Sequence, residues 1–326
     1  MEHNPKVVGI ILVMFLLTQL IGLYVINYYS PVKVVNNVPQ NVTSPNQLPF
    51  GLEPPPENNQ LTFTDILIYF IPAFIIAIVI FVILTKFRAE FVLKAWFFIV
   101  IVIALATSLL AFMRSQTLYF IIGALGASLV LAFFKIFRQN ILIHNFTELL
   151  IYPGIAAVFV ALLSSPDNPS RGVYAMMILL VLISLYDLWA VWRSGIMIKM
   201  AKYQINQLKI FGGFLIPYLS KQMKLKLQKM KKSERKRKKI KVDFALLGGG
   251  DIVFPLIMAG VVMRKFGFIS VLGMELPVAS LLIILGAMLG LCYLLFFTER
   301  KKPYPAMPFI SAGVFLALGV CYLLFG

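Results

Sequence analysis

Two aspartates lie inside apolar stretches of this 326-residue chain, and their residue type and spacing suggest acid–base chemistry. Asp251 ends a run of three glycines, and Asp187 follows Tyr186 in a separate apolar stretch. A carboxylate within hydrocarbon is costly and rare, so its presence calls for a functional reason. When two carboxyl groups are a few ångströms apart they cannot both ionise easily, so one keeps a proton while the other can activate water. The pair therefore predicts hydrolysis of peptide bonds without a metal or a covalent intermediate.

The glycine run before Asp251 consists of Gly248, Gly249 and Gly250. Glycine triplets weaken helices, so their place in an apolar stretch is unusual. Without Cβ atoms, one backbone can approach another, and an extended substrate segment could lie against this helix start. The alternative is a close crossing of two helices, since small residues often pack transmembrane helices.

The composition predicts an all-α membrane protein. The chain is 60% hydrophobic and 13% charged, with a mean hydropathy of +0.89, whereas a soluble domain carries about a quarter charged residues. Stretches of about 18 or more apolar residues are long enough to cross a bilayer. Nine such spans are predicted, at about residues 7–29, 61–84, 91–112, 118–137, 146–163, 174–192, 244–263, 269–297 and 309–325.

The distribution of positive charge predicts the orientation of these spans. With the N-terminus in the cytoplasm, 25 of the 30 Lys and Arg residues fall in inside segments, as the positive-inside rule requires. Nine spans then place the C-terminus outside. The chain divides into a six-helix part (1–193), a basic cytoplasmic connection (194–242) and a three-helix part (243–326).

The connection itself has two sections. Residues 203–220 are apolar enough to lie on the bilayer or dip into it, whereas residues 221–241 carry twelve Lys or Arg and one Glu. We expect the basic run to be a solvated loop that holds the topology and contacts anionic lipid head groups. Nucleic acid is not an expected partner, because the run has no interleaved aromatic residues and lies beside a membrane span.

The depth of the two aspartates connects them. At the rise of a helix, Asp187 is about 8 Å from the inner end of the sixth span, and Asp251 is about 10 Å from the inner end of the seventh. The two spans are antiparallel neighbours joined on the cytoplasmic side, so the carboxylates reach nearly the same level. The same acids could instead form a proton relay in a channel or transporter, and Asp187 alone could be a satisfied polar residue.

Metal and disulfide chemistry are not expected. Cys292 and Cys321 each lie in an apolar run, and they provide neither a disulfide framework nor a metal cluster. His3 and His144 are isolated near the ends of spans, so no metal or other cofactor is predicted. Asn41 begins a glycosylation sequon, a triplet that is common by chance.

Three short motifs resemble those of one known family. Tyr186-Asp187 and the glycine run with Asp251 match its YD and GxGD motifs, and Pro305-Ala306-Met307-Pro308 resembles its PAL motif followed by proline. The three occur in order on the expected spans, so the whole chain resembles the presenilin and signal peptide peptidase family of intramembrane aspartyl proteases. Met307 departs from the usual leucine, which has a similar volume.

This resemblance implies a presenilin-like bundle, a multi-pass protein of the cell membrane that needs no cofactor and cleaves transmembrane segments of other proteins. Asp187 and Asp251 would be the catalytic pair. The substrate would unwind to a strand near the seventh span, where Ile240 and Val242 could offer a pairing edge. Accessory subunits are not evident. The residues that would shape the active site and contact substrate are Tyr186, Gly248, Gly249, Gly250, Pro305, Ala306, Met307 and Pro308.

Two alternatives stay open on the residues. A channel or proton-coupled transporter could use the same aspartates, although the spans show no obvious paired half-repeats of the kind transporters often have. A preprotein peptidase of the other GxGD group would share the glycine motif. Such a peptidase is not expected to carry the tyrosine–aspartate and proline motifs together.

Overall fold

The computed structural model describes most of the predicted spans. The residues described are 5–35, 38–41, 47–52, 90–138, 140–164, 168–194, 211–218, 243–271, 274–297 and 304–325, with isolated positions between 72 and 87. Most of the predicted second span, 61–84, lies outside them. The helices in these residues are α1 (Pro5–Tyr29), α2 (Glu90–Met113), α3 (Leu118–Phe137), α4 (Ile141–Leu163), α5 (Pro169–Trp189), α6 (Gly249–Phe266), α7 (Val278–Phe297) and α8 (Met307–Phe325).

Seven of these helices, all except α6, are long and apolar enough to cross a membrane. Among the described residues this confirms a mostly helical protein with several spans. Helix α6 has 18 residues, which at the helical rise extend about 27 Å. Asp251, Arg264 and Lys265 make it more charged than the others.

Helix α6 is the centre of the bundle. It contacts α1, α4, α5, α7 and α8, and every residue from Leu256 to Met263 is buried. Such burial on all sides is typical of a helix surrounded by protein rather than by lipid or water. The neighbouring helices therefore fix the position of Asp251 at the start of α6.

Within the described residues, three antiparallel strand pairs accompany the helices, formed by β1 (Val32–Val35) with β2 (Val38–Asn41), β3 (Gly213–Tyr218) with β4 (Asp243–Gly248), and β5 (Ile269–Val271) with β6 (Met274–Leu276). Two of them correct the predicted spans. The seventh span was expected to be helical from residue 244, but strand β4 occupies its beginning and α6 starts at Gly249. The eighth was expected from residue 269, but β5 and β6 precede α7.

The glycine run marks the change from strand to helix. Gly248 is the N-cap of α6, with an extended backbone at φ −66° and ψ 146°. The register of the β3–β4 pair runs from Gly213 opposite Gly248 to Tyr218 opposite Asp243. The N–H of Gly249 continues the pairing with a 3.1 Å hydrogen bond to the carbonyl of Gly212. The glycines thus join a strand directly to the central helix.

Strand β3 belongs to the stretch 203–220, which was expected to lie on the bilayer or dip into it. In the described part of that stretch, Phe214 is fully buried and its ring packs against Tyr152 of α4. This described part is therefore packed into the protein core. The described residues do not include the basic run 221–241, to which Ile240 belongs, or Val242.

The apolar core has two parts. The larger is formed by α1, α4, α5, α6, α7, α8 and the β3–β4 pair, and the smaller by α2 and α3 against α4. Helices α7 and α8 pack closely because Gly286 and Gly313 face each other, and a Cβ atom on either would collide with the carbonyl of the other. This contact holds the start of α8 beside the centre of the bundle.

Candidate active site

Asp187 lies near the end of α5, two residues before its last residue, Trp189, and a π-helical turn at Ala190–Ser194 follows. Its side chain is only 6% exposed. The backbone N–H of Met307 donates a 3.1 Å hydrogen bond to Asp187 Oδ2, and the backbone N–H of Ala306 also donates to this carboxylate. The first N–H groups of a helix have no partner within it and attract negative charge, so the start of α8 is a binding site for the Asp187 carboxylate.

The prolines of the third motif explain why these two N–H groups serve Asp187. Pro305 is buried just before α8, and Pro308 is the second residue of the helix. Proline has no N–H and is well tolerated in the first helical turn. Ala306 and Met307 are therefore the two donors of the tetrapeptide, and both are used on Asp187. A 3.0 Å hydrogen bond between Ser184 and Ser311 joins α5 to α8 nearby.

Asp251 is the third residue of α6 and is partly exposed. Its carboxylate accepts a hydrogen bond from the backbone N–H of Gly248, which is the reciprocal half of a capping box at a helix start. The two residues are so close that a Cβ atom on Gly248 would lie 3.1 Å from Asp251 Oδ2. The amide of Gln19, on α1, donates a 2.9 Å hydrogen bond to the carbonyl of Ile252 and so holds the same turn.

The structure brings the three predicted motifs together. Asp187 on α5 lies close enough to Asp251 on α6 for the two charges to interact. Tyr186 lies beside them, and its ring faces Trp189 on the same helix with centroids 6.3 Å apart. Gly250 is exposed, and a Cβ atom added there would make only an ordinary 3.5 Å contact with Phe254.

A buried ionic cluster next to strand β3 was missed from the sequence. Lys135 of α3 and Glu148 of α4 form an ion pair of 2.5 Å, with both side chains almost completely buried. His144 Nδ1 lies 3.2 Å from Lys135 Nζ, and its Nε2 lies 2.8 Å from the carbonyl oxygen of Gly213. The available signal was the presence of ionisable residues inside apolar helices, which are rare and usually functional.

Asn145 of α4 continues this contact along β3. Its Nδ2 donates a 2.9 Å hydrogen bond to the carbonyl of Leu215, and its Oδ1 accepts a 3.0 Å bond from the Leu215 N–H. The backbone of Leu215 therefore points towards α4 and away from β4. Together, His144 and Asn145 cover the edge of β3 that is not paired with β4.

The same hydrogen bonds identify the other edge of the β3–β4 pair. In an antiparallel pair, residues alternate between those bonded to the opposite strand and those that face outward. Leu215 faces outward and is opposite Leu246, so the backbone N–H and carbonyl of Leu246 point away from β3. The side chain of Leu246 is 45% exposed. Strand β4 thus presents its outer edge close to Asp251.

An apolar groove of about 520 Å³ lies between α5 and α8. These are the helices that carry Asp187 and its two N–H donors. The groove is open to the outside of the bundle, and its walls are formed by Met177, Ile178, Val181, Leu182, Phe315, Leu318, Gly319 and Tyr322.

A family model and solved structures of known proteins are similar to this chain. A family model described as signal-peptide peptidase, presenilin aspartyl protease matches residues 53–326. Two solved structures of a presenilin family intramembrane aspartate protease, in the C222 and P2 space groups, have TM-scores of 0.56 and 0.57. Each is 17% identical in sequence, and the alignment covers 96% of both chains. No curated protein matches the chain significantly.

Proposed function

Because the chain belongs to the signal-peptide peptidase and presenilin family of aspartyl proteases, we propose that Asp187 and Asp251 form its catalytic pair. The protein is a multi-pass intramembrane aspartyl protease, and its substrates are transmembrane proteins. The observation that carries the assignment of the pair is the interaction of these two carboxylates at the start of the central helix. Each carboxylate is also held by backbone N–H groups, from Ala306 and Met307 on one side and from Gly248 on the other.

The chemistry needs one carboxylate and one protonated carboxyl group. The carboxylate takes a proton from a water molecule, and the resulting oxygen attacks the scissile carbonyl carbon, while the protonated group hydrogen-bonds to the carbonyl oxygen. The C–N bond of the tetrahedral intermediate then breaks as its nitrogen receives a proton. No metal or covalent enzyme intermediate is required.

We assign the binding of the unwound substrate to the outer edge of β4. A substrate segment in extended conformation can add to an exposed strand through main-chain hydrogen bonds, and the backbone of Leu246 faces outward five residues before Asp251. The opposite edge of the β3–β4 pair is covered by His144 and Asn145. The groove between α5 and α8 is apolar enough to receive a substrate helix before it unwinds.

The proposed topology has nine spans, with the N-terminus in the cytoplasm and the C-terminus outside. Residues 1–193 then supply Asp187, and residues 243–326 supply Asp251 and the proline motif. The connection 194–242 would remain cytoplasmic, where its basic run contacts anionic lipid head groups. Substrates would have their N-termini on the outer side.

The experiment that tests the catalytic pair uses purified protein in liposomes with a model transmembrane peptide, and identifies the products by mass spectrometry. Asp187→Asn and Asp251→Asn keep the side-chain shape and remove the charge, so each should abolish cleavage. Asp167→Asn, at an aspartate between the predicted spans 146–163 and 174–192, is the matched control and should cleave normally. Undiminished cleavage by either site variant would refute the proposal. Ion flux that depends on both aspartates, with no peptide product, would identify a channel or transporter instead.

A further inference from the structure

Tyr152 of α4 packs directly against the glycine run. A Cβ atom added to Gly249 would lie 2.7 Å from Tyr152 Oη and 2.9 Å from its Cε1. On another side the ring meets Phe214 of β3 edge to face, with centroids 6.2 Å apart and planes at 81°. The Tyr152 ring therefore packs between strand β3 and the backbone of Gly249, two residues before Asp251. Tyr152 is only 4% exposed.

The hydroxyl of Tyr152 is buried and has no hydrogen-bond partner among the residues that the structure describes. Asp251 and Glu148 both lie close enough for their charges to act on it. Glu148 does not meet the geometry of a normal hydrogen bond with this hydroxyl, and its carboxylate is already bound by Lys135 at 2.5 Å. A buried donor left unpaired is destabilising, and a bound partner would satisfy it.

We propose that the Tyr152 hydroxyl belongs to the active site and donates a hydrogen bond to an oxygen acceptor beside Asp251, either the hydrolytic water or the scissile carbonyl. This proposal rests on the catalytic role of Asp251 given above. A donor held in place by packing against Phe214 and Gly249 needs no reorganisation when negative charge develops on the reacting oxygen. In the alternative explanation, the ring only fills the space between β3 and Gly249, and the hydroxyl has no role in the reaction.

Replacement of Tyr152 by phenylalanine separates the two explanations, because it keeps the ring and removes only the hydroxyl. If the hydroxyl serves the reaction, Tyr152→Phe should lower kcat/KM about tenfold or more, with no fall in the Tm measured by circular dichroism. A fall confined to kcat would show that the bond is made only in the transition state, either to the attacking water or to the oxyanion that develops on the scissile carbonyl. A rise in KM as well would identify the scissile carbonyl, since the bond is then made on binding.

Tyr29→Phe is the matched control. Tyr29 is 5% exposed, and its hydroxyl donates a 2.8 Å hydrogen bond to the carbonyl of Thr107 on α2. Its loss should lower the Tm and leave kcat and KM unchanged, the reverse of the Tyr152 variant.

The proposal fails if Tyr152→Phe cleaves the model peptide with wild-type kcat and KM. It also fails if that variant behaves like Tyr29→Phe, because the hydroxyl would then bind Glu148 in solution. Failure of the catalytic assignment is recognised separately in the same assay. The proposed function is overturned if the wild-type protein does not cleave the model peptide or if the Asp251→Asn variant still does. If the wild-type protein cleaves and Tyr152→Phe has the same kcat and KM, only the role of Tyr152 is overturned.

Discussion

The backbone N–H of Met307 lies 3.1 Å from Oδ2 of Asp187 and donates a hydrogen bond to it. The third motif thus reaches the carboxylate through its main chain, together with the N–H of Ala306. The side chain of Met307 makes no part of this bond, which accounts for a methionine at a position where the family motif has leucine.

The first prediction separates the backbone of residue 307 from its side chain. Met307→Leu keeps the N–H and the approximate volume, so we expect cleavage within about twofold of wild type, as for volume-conserving changes. Met307→Pro removes the donor at a helix position that accepts proline. A hydrogen bond to a charged group contributes about 1.5–3 kcal/mol, so kcat/KM should fall about tenfold to a hundredfold. Equal activity of the two variants would contradict this role for the N–H.

The second prediction concerns Gly248 and its contact with Asp251. A Cβ atom at Gly248 would lie 3.1 Å from Asp251 Oδ2, so Gly248→Ala should push the carboxylate aside by a few tenths of an ångström. The extended backbone of Gly248 suits alanine, and we therefore expect a lower kcat with little change in Tm. Cleavage assays and circular dichroism measure the two effects.

Gly250→Ala is the comparison for this variant. An added Cβ meets only Phe254, at 3.5 Å, and the position is exposed. The fold should be unaffected, whereas KM should rise if the substrate backbone uses this surface. An unchanged KM of Gly250→Ala would argue against the role of the glycine run in substrate access. If the kcat of Gly250→Ala falls as much as that of Gly248→Ala, the contact at Gly248 is not specific.

The sequence singled out the two acids because the signals that mark them are local. Asp187 and Asp251 stand out as carboxylates in apolar stretches. The count that put them at one level used the helical rise from residue 244, which does not apply to residues 243–248 because they form strand β4. The glycine run was also recognised as irregular from a local signal. Its exact role, as the junction between strand β4 and helix α6, depends on a partner strand that begins at Gly213, which no local pattern could provide.

Strand β4 is an example of what could not be predicted from the sequence. Residues 244–247 are a short apolar run, and such a run cannot be assigned to helix or strand by periodicity alone. The cluster on α4 was missed for a related reason, since Lys135, Glu148 and the carbonyl of Gly213 come from three separate segments. His144 was judged isolated because Lys135 lies on another helix and Gly213 lies on a strand that is distant in sequence. The sequence showed the ionisable groups, and only the fold showed how they pair.

The third prediction tests the outer edge of β4. The N–H of Leu246 points away from β3, so proline at this position removes a donor from the free edge without breaking the β3–β4 pair, and edge strands tolerate proline. We expect Leu246→Pro to fold normally and to lose most cleavage of the model peptide through a higher KM. Leu246→Ala, which keeps the N–H, is the control and should lose far less. If the alanine variant is equally impaired, the substrate recognises the side chain rather than the strand edge.

The final prediction concerns the buried pair Lys135–Glu148. Replacing either partner leaves the other charge buried without its counter-ion, which costs about 3–5 kcal/mol. Lys135→Met and Glu148→Met should therefore each lower the Tm strongly. The double variant removes both charges and should be more stable than either single variant, a coupling that a double-mutant cycle measures. Lys94→Met, at a partly exposed lysine near the start of α2, should have little effect. If the losses of Tm simply add in the double variant, the two side chains stabilise the bundle independently. The 2.5 Å contact between them would then not explain how strand β3 is held.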